Sequence, residues 1–130
     1  MSSATIDHTP DRDEATDNCL VEKVVTAAMR AWKMHGEQPE ISRVPVAEGS
    51  LLTVLLARRA RRLEFFVEKD DPAIWESLAS LDTKGLLQLC ALVPLGLSGT
   101  ARVHLYNRGF ELQNWWLDGG KVAFGSVEAV

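Results

Sequence analysis

Two cysteines are all that the 130 residues contain, and Cys19 and Cys90 lie far apart, outside any CxxC or CxxH spacing. They belong to no disulfide or zinc framework and are expected as buried free thiols on apolar faces. The three histidines, His8, His35 and His104, are scattered, and each is expected at the surface or near a helix end. No nucleophile stands beside a base and no carboxylates pair at local spacing, so neither a catalytic set nor a metal site is legible. Gly96, Gly99, Gly119, Gly120 and Gly125 suit turns and lack the GxGxxG or GxxxxGKS order that cradles phosphate. No cofactor is expected. Excess positive charge is lacking too: the net charge of −4 disfavours nucleic-acid binding through the overall field. No apolar run approaches the roughly 18 residues of a membrane span, and the polar N-terminus has no apolar leader core. A cytoplasmic protein without membrane contact is expected.

What is present is ordinary globular composition, 46% hydrophobic and 25% charged, in a chain near the commonest domain size. Residues Met1 to Thr16 hold almost no large apolar side chain and are expected as a disordered acidic tail, leaving 17–130 as a single α+β domain. Leu20, Val21, Val24, Val25, Ala28, Met29 and Trp32 then recur at helical spacing behind an Asp or Asn cap, and Gly36 stops the run. Residues 37–49, with two prolines, read as an extended connector. Ser50 can cap a second helix running to Lys69, a buried strand at the Leu-rich start being the alternative. Asp71-Pro72 starts a third helix that buries Ile74, Trp75, Leu78 and Leu81. Asp82 caps a fourth, presenting Leu86, Leu87, Leu89, Cys90 and Val93 until Pro94 ends it.

After Thr100 the period changes to two. Ala101, Val103 and Leu105 alternate with Arg102, His104 and Tyr106, and turns at Asn107-Arg108-Gly109 and Asp118-Gly119-Gly120 separate strands at 110–117 and 121–127. The expected fold is therefore α+β, about four helices followed by a three-stranded antiparallel C-terminal sheet.

Two features point outward. Arg58, Arg59, Arg61 and Arg62 form the densest charge cluster, with Arg58 and Arg62 aligned at i, i+4 on the expected helix. They suit either a solvated face or contact with an acidic or phosphate-bearing partner. Trp115 and Trp116 are adjacent on a strand and must face opposite ways. With Phe110, Leu112 and Trp116 against the helices, Trp115 and Leu117 become an apolar partner surface.

The stretch LLTVLLARRARRLEFFVEKDDPAIWESLASLDTKGLLQLCAL, residues 51–92, resembles the bacterial FlhD transcription co-activator family. The likeness lies in its Leu-rich start with an LLAxR-like end, its Leu78-Ala79-Ser80-Leu81 pattern and its Leu-rich finish. The resemblance implies an acidic, dimeric, helical subunit acting with a zinc-binding partner that makes much of the DNA contact, and it assigns no site residue. Residues 101–127 depart from it by reading as strands. The expectation is a non-enzymatic protein-interaction module, a homodimer or a subunit of a bacterial transcription-regulatory complex, with nucleic acid reached only through that complex. The alternative is a secretion chaperone or adaptor that holds an extended partner segment.

Overall fold

The computed structural model describes residues 10–46 and 51–130, with side chains placed for residues 20–46 and 51–130. Helix α1 (Pro10–Met34) precedes three strands, β1 (Glu40–Pro45), β2 (Leu51–Ala57) and β3 (Arg62–Phe66). Then come α2 (Pro72–Ala79), β4 (Gln88–Pro94), a short 3-10 turn at Leu95–Leu97, α3 (Ser98–Leu105), β5 (Phe110–Asp118) and β6 (Lys121–Ala129). The strands form one sheet in sequence order, β1 to β6. β1, β2 and β3 are antiparallel neighbours, as are β5 and β6, whereas β3, β4 and β5 run parallel. A parallel connection needs a crossover, and α2 and α3 supply the two. Since both crossovers step the same way across the sheet, one handedness places both helices on one face. Helix α1 covers the other.

This three-layered mixed sheet replaces the expected four helices with a three-stranded antiparallel sheet. The differences have a common cause. Leu52, Val54, Leu55 and Ala57 are buried, as are Leu89 to Val93 without interruption. A strand covered on both faces shows no alternation, so its apolar run mimics the core face of a helix. The expected second helix is thus the β2–β3 hairpin, and the expected fourth helix is β4. Of the helices that the FlhD resemblance implies for residues 51–92, only α2 forms. Conversely, the alternation at 101–106 is misleading: Ala101 and Leu105 are buried at i, i+4 spacing while Val103 between them is 77% exposed. That stretch is α3.

Local signals elsewhere hold. Asp71 Oδ1 accepts from the Ala73 N–H at 2.9 Å and Pro72 opens α2. Helix α1 ends where Gly36 adopts φ +84°. There Glu37 N donates to Trp32 O at 3.0 Å and Gly36 N to Lys33 O at 3.1 Å, the paired bonds of a Schellman cap. The start of α1 lies earlier than expected, since residues 10–16 of the anticipated tail are helical. The rest of that tail, His8 within it, and the Ser50 cap lie outside the described residues, as does the Cys19 side chain. The described part of the connector, 37–46, is extended over β1, which joins the sheet as an edge strand.

The core has two halves. Phe65, Trp75, Leu78, Leu105, Phe110 and Leu112 pack between the sheet and α2/α3. Val24, Ala28, Leu55, Phe66, Leu92 and Trp115 pack between the sheet and α1. Among the described residues no helix is long and apolar enough to cross a membrane.

Candidate functional site, a cleft beside the first helix

One helix cannot roof six strands, so the α1 face is only partly covered. Beside the C-terminal half of α1 lies a cleft of about 670 Å³, open to solvent, in the size range of small-ligand sites. Ala28, Ala31 and Trp32 line it from α1, Leu92, Phe124 and Val127 form an apolar floor, and His35, Glu37 and Arg59 stand at one end.

Strand register explains the polar part of that floor. Leu55, Glu64, Cys90 and Glu111 sit side by side across β2, β3, β4 and β5, and Arg62 shares their face two residues before Glu64. Its guanidinium donates from Nε to Glu64 Oε2 at 3.2 Å and from Nη1 to Glu111 Oε1, so it bridges the carboxylates that flank Cys90. The other Glu64 oxygen accepts from the Trp32 indole N–H at 2.9 Å, which ties α1 to the sheet. Glu64 is only 3% exposed. A buried carboxylate of this kind is tolerable because each of its oxygens receives a donor, one of them from a guanidinium. Arg62 Nη2 and Asn114 Nδ2 are buried without a partner among the described residues.

Burial works against the Arg62 charge, and neighbouring Cys90, Glu111 and Glu64 outweigh it, leaving its pKa raised. Burial also dominates at Cys90, with Glu64 and Glu111 adding to it and Arg62 opposing, and pushes the thiol up to about 12. Cys90 is therefore a protonated core residue at neutral pH and not a nucleophile. The sign gives a pH dependence. Below the ordinary thiol value of 9.0 both folded and unfolded chains hold the proton, but between there and about 12 only the unfolded chain releases it. Stability attributable to Cys90 is expected to fall through that window by about 1.4 kcal/mol per pH unit. Urea unfolding from pH 8 to about 11, in a Cys19→Ser background with and without Cys90→Ala, reads this difference; superimposable profiles would refute it.

The expected arginine cluster is divided by the structure. Residues 58–61 form the β2–β3 turn, with Arg61 N bonded to Arg58 O at 3.1 Å and Arg61 at φ +53°. Arg58 is exposed and paired with Glu40, which it holds below the usual carboxylate range. Arg59 Nη1 donates to Gly36 O at 3.3 Å. Arg61 is exposed and Arg62 is the half-buried hub. The turn itself is held by Glu37, whose carboxylate accepts from Arg59 N at 3.3 Å and Ala60 N at 2.7 Å.

The tryptophans do face opposite ways, but their environments are exchanged. Trp115 is 5% exposed beneath α1, whereas Trp116 is 36% exposed on the other face and Leu117 is 45% exposed. The expectation had allowed helices on one face only. Because both faces are roofed, Trp115 is core and is not available to a partner, and Leu117 remains at the surface.

Sequence reasoning missed Trp32, Glu64 and Glu111 as a unit. The signal was present in RLEFFV, where an acid interrupts a run of strand formers. Comparison with protein-family models, with curated proteins and with solved structures finds no match to this chain.

Proposed function

We propose that the chain is a non-enzymatic protein-interaction module of the cytoplasm, and that the cleft beside α1 holds a segment of its partner. One observation carries this: apolar walls surround a floor whose acids are already satisfied. Glu64 and Glu37 have both oxygens occupied, and the thiol beneath is protonated. Such a floor offers a desolvated seat for a side chain, and these two acids and the thiol are not poised for proton transfer or attack.

Among assemblies, an adaptor or chaperone that holds a partner segment suits a cleft open to solvent. A place in a transcription-regulatory complex is the other context, although residues 51–92 fold mainly as strands and not as the helices that the resemblance implies. Homodimerisation is the simplest assembly to examine. Sedimentation of the isolated chain should give twice the 14.4 kDa monomer mass, and a monomer at all accessible concentrations would exclude it.

The cleft itself is tested by filling it. Ala31 is exposed on α1 and lines the cleft, so Ala31→Trp should leave stability within about 0.5 kcal/mol. Partners recovered from the native cell by the wild-type chain should be lost with Ala31→Trp and kept with Val103→Trp on the far side of the sheet. Equal recovery with both variants would overturn the assignment.

A further inference from the structure

We infer that the segment held in the cleft is acidic as well as apolar: a large aliphatic or aromatic side chain enters between α1 and β6, and a carboxylate of the same segment meets Arg59 at the hairpin end. The inference rests on the cleft being the binding seat and follows from an inventory of charges around it.

The acids there are already engaged on both oxygens. Both oxygens of Glu37 receive turn N–H groups, and both oxygens of Glu64 receive donors from Trp32 and Arg62. Among the cations, Arg62 is committed to two carboxylates and Arg58 to Glu40. Arg59 differs. Its one side-chain bond among the described residues goes to a neutral acceptor, Gly36 O, at 3.3 Å. The guanidinium charge is thus unneutralised, exposed, and open along another edge to a carboxylate, which arginine can grip with two parallel N–H donors.

Arg61 in the same turn and Arg108 opposite it are also exposed and line a neighbouring depression, where Asp82 is the one acid among the lining residues. Neither has an ion pair among the described residues. On a chain of net charge −4, this end of the sheet is a local positive patch, which steers an acidic segment and repels a basic one. Phe124, Val127 and Leu92 lie beside it and supply the apolar half of the recognition.

Two capped tetrapeptides, acetyl-Leu-Leu-Glu-Glu-amide and acetyl-Leu-Leu-Gln-Gln-amide, test this on the full chain, read by nitrogen–proton correlation spectra of the Trp32 indole. Both should shift that signal, with the acidic peptide binding about three- to tenfold more tightly at low salt. The advantage should shrink to less than about twofold in Arg59→Gln, or in about 0.5 M salt, where exposed charges are screened. Equal affinities, with both peptides shifting the indole, would overturn the acidic preference and leave the cleft standing as the seat. Failure of both peptides to move the indole would overturn the seat as well.

Discussion

Arg62→Ala is expected to destabilise the chain by on the order of 3–5 kcal/mol, the largest effect of any polar substitution in the fold. The cost comes from what the change leaves behind. Glu64, almost fully buried on the sheet, would retain only the Trp32 indole as a donor, and Glu111 would lose the partner that neutralises it. Glu111 keeps 30% of its side-chain surface exposed and can recover hydration; Glu64 cannot. The double variant Arg62→Met/Glu64→Leu should therefore be less destabilised than Arg62→Ala, because it removes the stranded charge and fills the volume. Guanidinium unfolding of the three proteins reads the ordering. A loss below about 1 kcal/mol for Arg62→Ala would mean that the network is solvated in solution.

Trp115→Ala should cost a further member of the same layer about 3–5 kcal/mol, the range for deleting a buried aromatic. Trp115 packs with Leu92, Phe66 and Cys90 beneath α1, so its loss opens a cavity that the sheet cannot collapse to fill. Trp116→Ala, on the opposite face with about a third of its surface in solvent, should cost less than Trp115→Ala, about 1–2 kcal/mol. Thermal melts of the two variants compare them directly. The reverse order would place Trp116 in the core and contradict the layering.

The tryptophan pair shows where sequence reasoning stops. Strand alternation correctly separates Trp115 from Trp116, because it depends only on neighbouring residues. Which face is buried depends on how many helices reach each side, a tertiary property carried by neither residue. The same boundary runs through the rest of the chain. Gly36, Asp71-Pro72 and Asp118-Gly119-Gly120 act through local backbone chemistry, and the elements they punctuate are legible. LLTVLLA and QLCALVP are central strands roofed on both faces, and their periodicity was erased by that burial. The site is harder still. Trp32, Glu64 and Glu111 converge only because β3, β4 and β5 pair in parallel, with α1 returning over them. An acid within RLEFFV hints that something unusual is buried, and the register alone reveals its partners.

The most direct measurement of whether this cleft holds the partner is site-specific photocrosslinking in the native cell. A benzoylphenylalanine at Ala31, on the cleft wall, is compared with one at Val103, on the outer surface of α3. Both positions are exposed, so unequal capture reports proximity and not access. The expected result is a discrete crosslinked species from position 31, abolished when Phe124→Arg intrudes on the cleft floor, and none from position 103. Capture from position 103 alone, or capture from position 31 that survives Phe124→Arg, would show that the partner sits elsewhere.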